Sequence, residues 1–281
     1  MSDASVQAKY PSAIWFDSAY SGTESGTFAQ PYNTIAEALG AVSNDGQIAV
    51  KDGTHSVGEI EFTTTGLTIV GSSTSAILRN TTTGNSIDCN ATTGTFRLET
   101  IKVVNDSTNF GLGVIASDSD MVIAECIIDS GLNVETSRGF LANDSNDKTF
   151  TIENSILIFG VGSGYTTSLT RANDQPSTLN VRHSVLIMNA NSNNVGLSAS
   201  GAGEFKNSIL IGKSDYAVTI GSWNPSVRKN CCLNDTAYST GSPLSGATDF
   251  LYETDPLFVD SANGDYRLRP TSPCINAGTA S

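Results

Sequence analysis

The sequence predicts an all-β chain, a single-stranded parallel β-helix in the form of a solenoid, on three observations. First, one nine-residue pattern is written six times across the stretch Phe96 to Leu233: FRLETIKVV from Phe96, MVIAECIID from Met121, FTIENSILI from Phe150, LNVRHSVLI from Leu179, GEFKNSILI from Gly203 and SVRKNCCLN from Ser226. The sixth residues of these copies, Ile101, Cys126, Ser155, Ser184, Ser208 and Cys231, stand 25, 29, 29, 24 and 23 residues apart, a repeat with insertions. Periods in this range mark architectures in which each unit buries its apolar face against its neighbours. Second, each copy holds two short alternating runs, such as Phe150-x-Ile152 and Ser155-x-Leu157, with a polar pair such as Glu153-Asn154 between them. Alternation indicates strands and the polar pair a bend, and no window carries a long helical period. Third, only 15% of residues are charged and 26 are Gly, while Ser, Thr and Asn crowd the segments between copies, as many short turns require.

In chain order, residues 1–45 hold a first strand at Ala13 to Phe16, a Gly/Ser/Thr loop to Tyr32 and a short capping helix. Thr34-Ile35-Ala36-Glu37 has the form of a capping box, Ile35, Leu39 and Val42 follow at helical spacing, and Asn44-Asp45-Gly46 stops the helix. Laid across the first coil, this helix closes a sheet end whose unpaired edges would otherwise invite aggregation. Residues 46–233 form the coils, beginning with QIAVKDG from Gln47 and LTIVGS from Leu67. Residues 234–281 form a closing segment, after a polar loop from Asn234 to Asp249. A solenoid lengthens without a second core, so 281 residues are expected to make one structural domain.

The formal net charge is −13 and the pI near 4.4, which argues against nucleic acid and anionic membrane as partners. No run of about 18 apolar residues exists to span a bilayer. The N-terminus, MSDASVQAKYPSAIW, has neither the basic start nor the apolar stretch of a signal peptide. The five cysteines, Cys89, Cys126, Cys231, Cys232 and Cys274, are an odd number for a disulfide framework. Cys126 and Cys231 share a column with three coils between them, roughly 19 Å at about 4.8 Å per coil step, whereas a disulfide needs Cα atoms within about 7 Å. They are expected to act as small buried fillers.

The ending DPLFVDSANGDYRLRPTSPCINAG resembles the C-terminal closing segment of right-handed parallel β-helix proteins of the pectate-lyase-like superfamily, of phage-borne and extracellular type. The beginning resembles theirs as well: GTFAQPYNTIAEAL followed by IAVKDGTHS matches a Gly-rich loop, a capping helix and a first strand ending in a Gly-Thr turn. With the central copies, the resemblance covers nearly the whole chain. It implies a right-handed coil and a virion or extracellular location. It implies no single function, because the fold carries lyases, hydrolases, esterases, adhesins and spacers alike. The acidic calcium ligands of the superfamily's pectate lyases have no counterpart here, and the paired aspartates and Gly-His-Gly of polygalacturonases are absent.

If the first, third, sixth and eighth residues of each copy point inward, the fourth points outward. That column reads Glu99, Ala124, Glu153, Arg182, Lys206, Lys229. Two carboxylates flanking an alanine would lie roughly 9.6 Å apart, near the upper end of the separation in inverting glycosidases. The three basic residues below them, Arg182, Lys206 and Lys229, suit a uronate, and one of them a β-elimination base. Against this chemistry stands an ordinary exposed ion pair between Glu153 and Arg182. His183 falls at the bend, in the column Thr100, Glu125, Asn154, His183, Asn207, Asn230, where polar side chains satisfy backbone groups. His55 is expected in a turn. No cofactor is expected. Asn143-Asp144-Ser145-Asn146-Asp147 offers oxygen ligands of the kind calcium takes but lacks the spacing and closing Glu of a calcium loop, so it reads as a turn and no metal is assigned.

The seventh and ninth residues also point outward, yet they include Ile127, Ile156, Ile158, Val185, Ile187, Ile209 and Ile211. A strand apolar on both faces is normally covered on both, and an exposed stripe of this length is a binding surface. Three covers are open: the chain's own inserts such as Gly160 to Pro176, the C-terminal segment, or other subunits in a homotrimer. Two function classes follow. One is a structural and attachment protein that presents its sides to host-surface glycans or to virion structural proteins. The other is a polysaccharide depolymerase, a lyase or glycoside hydrolase acting on acidic glycan at Glu99, Glu153, Arg182 and Lys206.

Overall fold

A computed structural model of the chain describes residues 2–106, 114–131, 141–142, 148–159, 167–168, 178–188, 195–197, 203–211, 218–220, 227–229, 232–234, 251–252 and 254–277. The alternating runs form parallel strands stacked coil upon coil into a parallel β-helix. The first run of each copy enters a nine-stranded parallel sheet made of Ile14–Phe16, Gln47–Val50, Thr68–Gly71, Thr95–Glu99, Asp120–Ala124, Thr149–Glu153, Thr178–Arg182, Gly203–Lys206 and Val227–Lys229. The second run enters a second nine-stranded sheet, from Gly53–Val57 and Ala76–Asn80 through Lys102–Asn105, Ile127–Asp129, Ile156–Phe159, Val185–Met188, Ile209–Ile211 and Cys232–Asn234 to Leu251–Tyr252. A third face comes from segments between the copies. Ile60–Phe62, Ile87–Cys89, Ile115–Ser117 and Leu141–Ala142 form one parallel sheet there, and Thr167–Ser168, Val195–Leu197 and Val218–Ile220 another.

The register sets equivalent residues of successive copies opposite one another. Phe96 pairs with Met121, Met121 with Phe150, Phe150 with Leu179, and Leu179 with Gly203. The first, third, sixth and eighth residues point inward as the alternation requires, and Phe96, Leu98, Ile101, Val103, Phe150, Ile152, Leu157, Leu179, Val181 and Leu186 are buried in one continuous core. Each such aliphatic or aromatic side chain contributes about 1.5–3 kcal/mol on burial. Gly203 occupies the inward column where the backbone closes in. A Cβ there would lie 1.9 Å from the Leu179 carbonyl oxygen, so any side chain would force the coils apart.

The corner between the first two sheets is built by one residue per coil. Thr100, Glu125, Asn154, His183 and Asn207, the fifth residues of their copies, all have φ between +49° and +56°. Asn tolerates this left-handed conformation, whereas β-branched Thr100 is strained in it. The amides of the first four bend residues donate to the fourth-residue carbonyl of the next coil: Thr100 to Ala124 at 3.0 Å, Glu125 to Glu153 at 3.1 Å, Asn154 to Arg182 at 3.2 Å and His183 to Lys206 at 3.0 Å. The following amide, that of the sixth residue, faces inward, where no carbonyl meets it. A serine hydroxyl of the next coil accepts it instead. Cys126 N–H donates to Ser155 Oγ at 3.1 Å, Ser155 N–H to Ser184 Oγ at 3.2 Å and Ser184 N–H to Ser208 Oγ at 3.2 Å. Each hydroxyl in turn donates to the fourth-residue carbonyl of its own copy, Ser155 to Glu153 at 2.8 Å, Ser184 to Arg182 at 2.6 Å and Ser208 to Lys206 at 2.8 Å. The serines of this inward column therefore form an internal hydrogen-bonded ladder. Cys126 occupies the same column, its thiol 3.1 Å from the Ala124 carbonyl and pushed up to about 12, first of all by burial.

Both ends of the chain fold onto this coil. Helix α2 (Ile35–Ala41) follows the Thr34 cap, whose Oγ1 accepts from Glu37 N–H at 3.3 Å. It packs against the strands Ile14–Phe16 and Ile60–Phe62, burying Ala38, and so closes the first coil. The helix ends at Val42, ahead of the expected Asn44-Asp45-Gly46 stop, and Asp45 takes the left-handed turn at φ +58°. A second helix that the sequence did not announce, α1 (Asp3–Lys9), is capped by Ser2 and lies on the outer face of the first sheet. There Val6 packs with Trp15, Ala49 and Val70. Among the described residues no helix is long and apolar enough to cross a membrane.

The serine ladder has a direct consequence for stability. Ser155→Ala leaves the Cys126 amide buried without its acceptor, a loss of about 1–3 kcal/mol. Ser155→Cys, which places in the column the group already present at position 126, should cost distinctly less. Denaturant unfolding of the three proteins checks the order, and an alanine variant as stable as the parent would contradict it.

Candidate functional site

The outward column of the first sheet continues beyond the copies. Its register runs Trp15, Ala49, Val70, Glu99, Ala124, Glu153, Arg182, Lys206, Lys229. It is apolar where α1 lies over it and charged beyond. Glu99 sits at the boundary, only 7% exposed. Its carboxylate accepts from Lys9 Nζ at 2.6 Å and from Tyr10 Oη at 2.7 Å, with Arg97 Nη1 at 3.5 Å. The Lys9 ammonium is pushed up chiefly by this hydrogen bond, and burial raises the Tyr10 phenol. Glu99 thus holds α1 in place, and the separation reckoned from coil spacing does not describe two carboxylates facing solvent together. Glu153 lies half-buried opposite Arg182 in the register. The Arg182 guanidinium, however, pairs diagonally with Glu204 on the next strand, because the residue directly opposite on that strand is the like-charged Lys206. The side chain of Lys229 lies outside the described residues, as do Asn230, Cys231, the oxygen-rich turn Asn143 to Asp147 and, apart from the strand Thr167–Ser168, the insert from Gly160 to Pro176.

The two histidines occupy different settings. His183 occupies the left-handed bend with its amide in the ladder. His55 lies within the strand Gly53–Val57 rather than in the expected turn, 2% exposed. Its Nδ1 accepts from Ser18 N–H at 3.2 Å, which leaves the proton on Nε2 to donate to the Lys51 carbonyl at 2.9 Å. This satisfied ring packs against Phe16.

The apolar stripe on the outer face of the second sheet is covered in part by the C-terminal segment. Phe258–Asp260 and Asp265–Leu268 form an antiparallel hairpin joined by a short 3-10 turn, with Gly264 at φ +81°. Phe258 and Tyr266 meet edge to face at 5.5 Å. Phe258, Tyr266, Leu268 and Cys274 pack on Val185, Ile209 and Ile211. Of the three covers open to the sequence, the closing segment lies over this portion. Ile187 is buried and Ile156 half-buried.

Ile127 and Ile158 belong instead to a cleft of about 460 Å³ where the hairpin stands off the second sheet. Its floor is Val104, Ile127 and Ile158; its walls bring together Arg79, Lys102, Asp106, Asp129 and Tyr266, with Ser261 to Gly264 as the rim. Arg79 Nε forms an ion pair with Asp106 Oδ2 at 3.3 Å, out of line for a hydrogen bond, and among the described residues that buried nitrogen has no hydrogen-bond partner. Asp129 Oδ1 accepts from Gly131 N–H at 3.0 Å. Burial raises the Tyr266 phenol, and the charge of Asp129 adds to the shift. Among the described residues Lys102 has no ion-pair partner, so its ammonium is available to whatever enters. Sequence reasoning singled out two floor residues and none of the walls. Arg79 and Asp106 lie outside the copies, and Tyr266 arrives from the far end of the chain.

Sequence reasoning also passed over the third face, where Glu59, Glu61, Asp88 and Asp118 gather. Asparagine amides wire this acidic patch: Asn85 N–H donates to Glu59 Oε1 at 3.0 Å, Asn85 Nδ2 to Asp88 Oδ2 at 3.1 Å and Asn90 Nδ2 to Glu61 Oε1 at 2.9 Å. Among the described residues no group of three or more His, Cys, Asp or Glu side chains is arranged to hold a metal ion. Burial pushes the Asp88 carboxyl up, and Glu59, Glu61 and Asp118 push the same way against the Asn85 hydrogen bond.

No protein-family model matches the chain, and no curated protein matches it either.

The raised Asp88 carboxyl makes stability depend on pH with a definite sign. The folded state binds the proton more tightly than the unfolded one, so this group disfavours the fold at neutral pH and ceases to do so as pH falls through its folded value toward 3.8. Asp88→Asn, which can still accept from Asn85, should therefore raise the melting temperature at neutral pH and lose that advantage in acid. Thermal scans across pH check this, and a stabilisation independent of pH would contradict it.

Proposed function

We propose that the protein is a structural and attachment protein of virion-surface or extracellular type, a parallel β-helix that presents its flanks to host-surface glycans or to assembly partners, further copies of the chain included. The observation that carries this reading is the state of Glu99. The carboxylate needed to complete a hydrolytic pair with Glu153 is sequestered under α1 and engaged by Lys9, Tyr10 and Arg97. The interior serines and His55 are likewise engaged with backbone groups. Polar side chains that a sequence reader would assign to chemistry thus hold the coil together. The resemblance of both termini to phage-borne and extracellular β-helix proteins supports the location, and the cleft on the second sheet supplies a place for a ligand.

Incubation with uronate-containing and neutral polysaccharides, with and without calcium, tests this against a depolymerase. Following new unsaturated and reducing ends alongside binding, the proposal expects binding without turnover. Turnover that is lost in Glu153→Gln or Arg182→Ala would overturn it in favour of a lyase or hydrolase at the first sheet.

A further inference from the structure

We propose that the cleft between the second sheet and the C-terminal hairpin is a binding site for one anionic sugar residue, held by its charged group at Arg79 and Lys102. The inference rests on the attachment reading above and gives it a location and a ligand chemistry.

The argument starts from what the cleft leaves unsatisfied. In a chain of formal charge −13, two cations converge on one recess. One of them, Lys102, has no ion-pair partner among the described residues, and the other, Arg79, although ion-paired with Asp106, keeps a buried Nε with no hydrogen-bond partner among them. Such a donor is costly until an acceptor reaches it. A carboxylate or phosphate of a ligand supplies that acceptor with the strength of a charge-assisted bond. The two carboxylates that face the same space do not cancel this preference. Asp106 is ion-paired with Arg79 at 3.3 Å but makes no hydrogen bond to its Nε, and Asp129 is engaged by the Gly131 amide. Asp129 retains acceptor capacity for a hydroxyl beside the phenol of Tyr266, which both donates and accepts. The floor of Ile127 and Ile158 is apolar and suits the C–H face of a sugar ring. The volume of about 460 Å³ falls in the lower part of the range of small-ligand sites. A ligand with one anionic group, hydroxyls and an apolar ring face uses all of these at once, whereas a bare anion uses only the cations and a neutral sugar leaves them unanswered.

The test titrates the full chain by calorimetry with glucuronate, glucose 6-phosphate, glucose and inorganic phosphate, and measures binding to intact surface polysaccharide in parallel. The two anionic sugars distinguish a carboxylate from a phosphate as the charged group. The expected result is saturable binding of at least one anionic sugar, tighter than glucose and phosphate by about 10-fold or more, the worth of one charge-assisted bond. Lys102→Met, a half-exposed position whose replacement leaves the core intact, should abolish that margin, and Tyr266→Phe should weaken the sugar without restoring binding of glucose. Equal binding of glucose or of phosphate, or an unchanged margin in Lys102→Met with an unaltered melting temperature, would overturn the site. Polysaccharide binding that survives in Lys102→Met would overturn the cleft alone and leave the attachment reading standing, whereas no binding of any glycan by the parent would overturn both.

Discussion

At one corner of every coil a residue in the left-handed conformation turns the chain from the first sheet into the second, and the rest of the structure depends on what happens to the amide that follows it. In a parallel ladder every N–H has a carbonyl waiting on the neighbouring strand. The left-handed residue aims the next N–H into the apolar interior, where an unpaired donor is among the more costly defects a core can hold. Ser155, Ser184 and Ser208 answer it from the coil beyond, while their own hydroxyl protons go to the carbonyls of Glu153, Arg182 and Lys206. Each serine therefore depends on its neighbour in the stack. The register that places Phe150 on Met121 and Leu186 on Leu157 is pinned by hydrogen bonds as well as by volume, and a slip of one residue would break both.

A coil pinned from within has outer faces free to vary, and the three faces of this chain have taken different courses. The first is apolar under α1 and becomes charged where α1 ends, with Glu99 at the boundary. The second carries the apolar stripe, which the returning C-terminal segment covers at Val185, Ile209 and Ile211 but stands away from at Ile127 and Ile158. The third collects acidic side chains held apart by asparagine amides. In the recess between the second sheet and the folded-back hairpin, the sheet supplies a fixed floor and the added segment a wall, the concave form that small-ligand sites take.

The copies were legible because they are written in the periodicity that sets strand faces. The alternation in FTIENSILI or LNVRHSVLI assigns Phe150, Ile152, Leu179 and Val181 to the core without any knowledge of the neighbours. The bend column was legible in composition, since Asn154 and Asn207 are residues that tolerate left-handed φ. The third face was not, because strands of three residues such as Ile60–Phe62 and Ile87–Cys89 are too short to show a period. Helix α1 escaped for a similar reason: DASVQAK offers the single buried anchor Val6. The recurrence of serine in an inward column was visible, but its meaning required the direction of an amide, which only the corner geometry supplies. The clamp of Lys9 and Tyr10 on Glu99 and the seating of Tyr266 over the second sheet join distant parts of the chain, and no local pattern encodes such meetings.

Native-state hydrogen exchange of the Cys126, Ser155 and Ser184 amides tests the central claim most directly. If the serine hydroxyls satisfy them, these three amides exchange only through global opening, as slowly as the ladder amides of Ile156 and Val185 that donate to the Cys126 and Ser155 carbonyls. Exchange of the three at the rate of exposed amides, while Ile156 and Val185 stay protected, would contradict the ladder and with it the account of what holds the coils in register.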